Sequence, residues 1–225
     1  YARVVDYDRH FRDREDIQRA LAGYYGLVSA TDEHIGHVLA ALKQSGLDGG
    51  TRVLYTSDHG DNLGARGLWG KSTFFEESAG VPLVLAGDGI PVGIECATPV
   101  SLVDVYPFVF ECVGATAPDD RERPGVSLAA LAAGLVPDRA VVSEYHATTS
   151  VAGAYMLREG DFKYVHYVAY PAQLYDLQRD PEELHDVAGE PAYAETLARL
   201  RRRLLEILDP EEVDARAKRR QAELL

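Results

Sequence analysis

Asp58 and His59 stand side by side at the end of an apolar run, in the stretch LYTSDHGDNLGARGLWGKSTFFEES that occupies residues 54–78. A carboxylate oxygen and a neutral imidazole nitrogen both offer lone pairs. The first suits hard divalent cations, and the second is accepted by manganese, zinc or iron. Neighbouring residues in a continued strand point to opposite faces, so the pair can share one target only if the chain turns directly after Ser57. Gly60, Gly64 and Gly67 follow, and glycines let backbone pass close to a bound group. Lys71 lies beyond the loop, and its ammonium suits an anion held against a metal. The chemistry these residue types describe is neutralisation of charge on an anionic group. The dipeptide alone also fits a turn cap at Asp58 and a surface histidine at His59.

The elements that must position this cluster follow from periodicity. From Asp16 to Ser45, Ile17, Leu21, Tyr24, Val28, Thr31, Ile35, Val38 and Leu42 recur at alternating steps of four and three, one stripe of an amphipathic helix. Gly46 suits its C-terminal cap and Asp48-Gly49-Gly50 a turn. Gly23, Gly26 and Gly36 lower helix propensity, which predicts close packing against a neighbour. TRVLYTS reads as a buried strand ending near Ser57, and VPLVLAG, residues 81–87, as another. Helix, strand, loop and strand at these lengths predict an α/β layered domain, in which ligands gather outside the carboxyl ends of strands. Residues 101–114 read as a buried helix, in which Pro107 must lie in the first turn or break it. AVVSEYHA predicts a further strand, and a Glu-Gly-Asp turn joins residues 156–158 to residues 162–168 in a hairpin. After a short strand and an Asp-Pro turn in AQLYDLQRDPEELHDVAGEP come two helices. Tyr193, Leu197, Leu200, Leu204 and Ile207 line one face of the first, and Asp209-Pro210-Glu211-Glu212 supplies an N-cap, a proline at N1 and a capping-box glutamate for the second.

The 225 residues suit one large domain or a domain with an appendage. A net charge of −13 lacks the basic footprint of a nucleic-acid binder, so no nucleic-acid partner is expected. It leaves an anionic substrate open, because local cations can outweigh the global field. Cys96 and Cys112 make no disulfide framework and leave the compartment undetermined. No apolar run approaches the roughly 20 residues of a membrane span, so no membrane partner is expected.

The pieces YYGLVSATDEHIGHVLAAL, TSDHGDNLGARGLWGKSTFFEES and VPLVLAG, then SEYHATTSVAGAYMLREGDFKYVHY and QLYDLQRDPEELHDVA, resemble in order the second half of a type I sulfatase of the alkaline phosphatase superfamily. The resemblance implies an α/β fold. Residues 1–135 would form the C-terminal part of an alkaline phosphatase-like mixed-sheet core with helices, and residues 136–225 a small subdomain of antiparallel sheet and helix. It implies hydrolysis of a small-molecule sulfate ester. Asp58 and His59 match the pair on the family's divalent cation, usually calcium, with manganese or zinc as other candidates. Lys71 matches the lysine that contacts the sulfate and the activated nucleophile. That nucleophile is a formylglycine made from a C/S-x-P/A-x-R motif. Cys96 in CATPV and Cys112 in CVGAT have no arginine at the motif position. His10 in YDRHFRD sits near the place of an upstream catalytic histidine, in a context that does not match. The nucleophile and the remaining ligands are therefore expected in an N-terminal half that precedes Tyr1, and that half, or a second copy of the chain, is the expected protein partner. Alone, this chain is expected to hold a cation weakly and to turn over no sulfate ester, since calcium takes about 6–8 oxygen ligands.

His146 in SEYHATT ends a predicted strand, where it either reaches a substrate pocket or bonds to backbone. Glu76 and Glu77 are expected to close the loop, pairing with Lys71, and Trp69 to anchor packing. His34 and His37 flank the apolar stripe and are expected to face solvent; His166 and His185 are expected to be structural. Two alternatives stand beside sulfate-ester hydrolysis. One is phosphodiester or phosphonate monoester hydrolysis on the same scaffold, and the other is a non-catalytic binding module derived from it.

Overall fold

The computed structural model describes residues 11–115, 124–136, 139–147 and 150–224. The chain divides into two compact units, Tyr1–Gly93 and Ile94–Leu225.

In the first unit, helix α1 (Arg14–Gln44) begins where Asp13 caps it, the side chain accepting from the Asp16 amide at 2.9 Å. It ends where Gly46 turns to φ +72°, a conformation that costs an L-residue about 1–2 kcal/mol. Of the expected stripe, Ile17, Leu21, Tyr24, Ile35 and Leu42 are half-buried while Val28, Thr31 and Val38 are exposed, and none of the helix is buried within this chain. A Cβ placed on Gly23, Gly26 or Gly36 would meet nothing within 4 Å among the described residues. The close packing anticipated at those glycines is thus not made here. Strands β1 (Arg52–Thr56) and β2 (Leu83–Gly87) pair antiparallel, with Leu54 opposite Leu85. Between them lies the loop of interest and a single helical turn, α2 (Glu76–Ala79).

The second unit opens with α3 (Val105–Cys112), which carries Pro107 in its first turn as expected, and the short α4 (Leu128–Ala132). Asp104, fully buried, binds them to the sheet. It accepts from the amides of Ser101 (2.7 Å) and Val126 (2.8 Å), and takes both arms of Arg139 at 2.7 and 2.6 Å. A buried carboxylate needs such a full complement of donors to offset lost hydration. Strands β3 (Ala140–Tyr145), β4 (Ala154–Glu159), β5 (Phe162–Tyr167) and β6 (Tyr170–Asp176) form an antiparallel meander in that order. The tight β4–β5 turn places Glu159 opposite Phe162 and uses Gly160 at φ +55°. Helix α5 (Ala194–Ile207) lays Leu200 and Leu204, both 0% exposed, on Tyr155, Leu157, Tyr164 and Leu174 of the sheet. Each buried leucine contributes about 2 kcal/mol. Asp209 caps α6 (Pro210–Glu223), accepting from the amides of Glu211 and Glu212 at 3.1 Å, with Pro210 at N1. Among the described residues no helix is long and apolar enough to cross a membrane.

Candidate metal and anion site

Strand β1 delivers the chain to Ser57, and there the backbone turns as the Asp-His pair requires. Ser57 Oγ donates to the His59 carbonyl at 2.9 Å, and Asp58 Oδ1 accepts from the His59 amide at 3.0 Å. The turn brings Asp58 Oδ2 to 3.4 Å from His59 Nε2. His59 Nδ1 lies 2.9 Å from the Gly60 carbonyl. A carbonyl only accepts, so Nδ1 carries the hydrogen and Nε2 presents its lone pair. Two electron-rich atoms thus face one another, an arrangement that calls for a positive charge beside both. Lys71 Nζ approaches the same Nε2 at 2.5 Å. Asp58 is exposed, and its carboxyl lies below the usual value. Desolvation, the largest single influence, would raise it, but the hydrogen bond from the His59 amide and the nearby charge of Lys71 help to outweigh it.

The loop that carries Lys71 is built around small residues and Asx side chains. Gly60 is required for space, since a Cβ there would sit 2.1 Å from the Glu77 carbonyl oxygen, against which the Gly60 amide region packs with a 2.9 Å bond to the Ser78 carbonyl. Gly64, at φ +86°, lies under the Trp69 ring, and Trp69 stacks on Phe11 with centroids 4.0 Å apart. Trp69 is therefore the packing anchor anticipated. Glu77 closes the loop as expected, but its partner is Arg66 rather than Lys71. The Arg66 guanidinium also covers the Phe75 ring at 3.9 Å. A lysine that already contacts His59 leaves the carboxylate to the longer, forked side chain across the loop.

Asp61 and Asn62, unremarked in the sequence, hold the loop's interior. Asp61 Oδ1 accepts from the amides of Leu63 (2.9 Å) and Gly70 (3.1 Å). Asn62, 1% exposed, donates from Nδ2 to the Gly70 carbonyl at 2.6 Å and accepts from Thr73 Oγ1 at 3.1 Å. The available signal was the Asp-Asn pair itself, since such side chains bond nearby backbone in preference to continuing regular structure.

Asp58, His59 and Lys71 are therefore brought together within the first unit. His146 belongs to the second. It ends β3 with Nε2 3.1 Å from Glu144 Oε2 and its ring edge-on to Tyr155. Its Nδ1 is buried without a hydrogen bond among the described residues, and its carbonyl accepts from Gln221 Nε2 at 2.5 Å. Burial and the nearby carboxylates of Glu144 and Asp214 push the Tyr155 hydroxyl well above its ordinary value, so it stays protonated and donates to the Pro210 carbonyl at 2.8 Å. His10 lies outside the described residues. His34 and His37 are exposed, as expected.

Among the described residues no group of three or more His, Cys, Asp or Glu is placed to hold a metal. The pair at 58 and 59 nevertheless fits a divalent cation. The imidazole is fixed through its far nitrogen by a backbone carbonyl, the support that metal-bound histidines commonly have, and the carboxylate oxygen and ring nitrogen converge.

Comparison with known proteins identifies the family. A model of the sulfatase family matches residues 1–115, and one described as N-sulphoglucosamine sulphohydrolase, C-terminal, matches residues 64–209. Choline-sulfatase of Rhizobium meliloti (strain 1021) is 39% identical over 187 residues, 83% of this chain and 36% of that protein. Arylsulfatase K of Danio rerio is 36% identical over 207 residues, 88% of this chain and 39% of that protein. The chain thus spans well under half the length of these relatives. Among solved structures, the phosphonate monoester hydrolase from Silicibacter pomeroyi superposes with a TM-score of 0.76 at 32% identity, covering 87% of this chain and 43% of the other. A structure described as a 2-O GAG sulfatase superposes with a TM-score of 0.75 at 26% identity, covering 94% and 46%.

Proposed function

The chain belongs to the sulfatase family, with the alkaline phosphatase-like fold, and on that premise we propose that it forms the part of a sulfate-ester hydrolase that grips a divalent cation and the sulfate group. Asp58 Oδ2 and His59 Nε2 would hold the cation, calcium in this reading with manganese or zinc as the other candidates, and Lys71 would bind the sulfate oxygens. The observation that carries this reading is the convergence of the three side chains, with Oδ2 3.4 Å and Nζ 2.5 Å from the same imidazole nitrogen. When bound, the cation supplies electrostatic stabilisation of charge on the sulfate and the departing oxygen. The protein's own residues then act as follows. The Gly60 carbonyl holds the His59 tautomer, the His59 amide orients Asp58, and Lys71 adds a positive charge to the bound anion. Neither Cys96 nor Cys112 fits the formylglycine motif, so no nucleophilic step is assigned to this chain. The substrate is a small sulfate ester, and the partner is a further segment of the sulfatase scaffold.

The test uses the protein purified from its natural source, with calcium, on 4-nitrophenyl sulfate and bis(4-nitrophenyl) phosphate in parallel. Turnover of the sulfate, falling at least about 100-fold in Lys71→Ala and His59→Ala variants, supports the reading. Preference for the phosphate diester favours the phosphodiesterase or phosphonate hydrolase alternative, which the 32% identity to a phosphonate monoester hydrolase keeps in view. Turnover of neither leaves the non-catalytic binding module.

A further inference from the structure

We propose that Asn62 is a positioning residue for Lys71, its buried amide clamping the backbone on both sides of the lysine so that the ammonium is directed at His59. What the lysine does there rests on the sulfatase reading above; the clamp itself is argued from geometry alone.

The segment that carries Lys71 is not in a relaxed conformation. Gly70 sits at φ +71° and Ser72 at φ +84°. Glycine adopts such values freely, but a serine there costs about 1–3 kcal/mol and persists only where its surroundings hold it. The hold comes from Asn62. Its backbone amide and its Nδ2 both donate to the Gly70 carbonyl, at 2.8 and 2.6 Å, before the lysine. Its Oδ1 accepts from Thr73 Oγ1 at 3.1 Å, after the lysine. Asp61 completes the grip by accepting the Gly70 amide at 3.1 Å. Asn62 is 1% exposed, so these bonds are sheltered from water, and an unmet amide at this depth carries a desolvation penalty. Among the described residues no comparable clamp acts on the lysine side chain, which contacts the His59 ring nitrogen at 2.5 Å. Its direction is therefore set by the backbone, and the backbone is set by Asn62.

The test is nuclear magnetic resonance of the isotope-labelled chain in a chelator, reading cross-relaxation between the Lys71 ε-methylene protons and the His59 ring protons. A role limited to stability would lower the melting temperature without moving this signal in molecules that remain folded. The expected result is a clear signal in the wild type and in Thr73→Ser, and its loss in Asn62→Ala and Thr73→Val. Persistence of the signal in folded Asn62→Ala, or in Thr73→Val, overturns the proposal. Should Asn62→Ala fail to fold, Thr73→Val, isosteric and half-exposed, decides by the same criterion. Turnover is not part of this readout, so failure of the sulfatase reading and failure of the clamp are separately visible.

Discussion

At the scale of single residues, the site depends on a few atoms that cannot be exchanged. Gly60 illustrates this. Its φ is not in the left-handed region, so it is held to glycine by space alone, with the Glu77 carbonyl where a Cβ would stand. Its own carbonyl is also the group that fixes the His59 ring. Gly60→Ala is expected to lose at least about 2 kcal/mol of stability through overpacking against backbone that cannot swing aside, read as a lower midpoint in urea unfolding followed by circular dichroism. A midpoint equal to wild type would show that the 76–80 turn yields easily. Asp58, His59 and Lys71 were legible as residue types at a strand end. Asn62 was not singled out, because an asparagine in a loop gains its meaning only from the carbonyl and hydroxyl that fold back onto it.

At the scale of elements, two contacts within the second unit govern how sheet, loop and helix hold together. Lys163 on β5 and Glu183 in the loop after β6 form an ion pair at 2.8 Å with both side chains 1% exposed. Attraction between such charges is balanced by the cost of removing them from water, so the pair is weak evidence for stability while the loss of one member is severe. Glu183→Ala is expected to cost about 3–5 kcal/mol, and Lys163→Met combined with Glu183→Leu to restore stability to within about 1 kcal/mol of wild type. A mild Glu183→Ala phenotype in thermal unfolding would contradict this. The second contact joins β5 to α6. Burial pushes His166 below the ordinary histidine value, with Glu211 acting to raise it and Arg201 to lower it. Its Nε2 faces Glu211 Oε1 at 3.8 Å and its Nδ1 the Tyr164 hydroxyl at 3.2 Å. Because the folded value is the lower one, the unfolded chain takes up this proton first as the pH falls below about 6.5. Unfolding is then favoured by acid, so this contribution is fully present above that pH and declines beneath it. His166→Gln should flatten the pH dependence of the urea midpoint between about pH 7 and pH 5. An unchanged slope would place the titration elsewhere.

At the scale of the whole molecule, the chain spans 36–39% of the length of its sulfatase relatives, and its described residues bring together no group of three or more His, Cys, Asp or Glu that could hold a metal. Calcium at millimolar concentration is therefore expected to leave the melting temperature of this chain unchanged, since stabilisation by a ligand scales with its concentration over its dissociation constant. The chain alone is likewise expected to release no product from an aryl sulfate above background. Calcium-dependent turnover or a marked upward shift in melting would show that the pair suffices. The amphipathic stripe of α1, the β4–β5 turn and the Asp209 cap could all be read beforehand, because periodicity, turn chemistry and capping are local and act between residues a few positions apart. The same holds for the cluster at residues 58–71, whose members sit on one strand end and its loop. What only the tertiary structure decided was pairing between distant residues. It joined Arg66 to Glu77 instead of leaving that carboxylate to Lys71, Arg139 to Asp104, and Lys163 to Glu183, and it left the glycines of α1 without a close neighbour among the described residues. Those outcomes turn on which charges end up desolvated together, and that is a property of the packed chain as a whole.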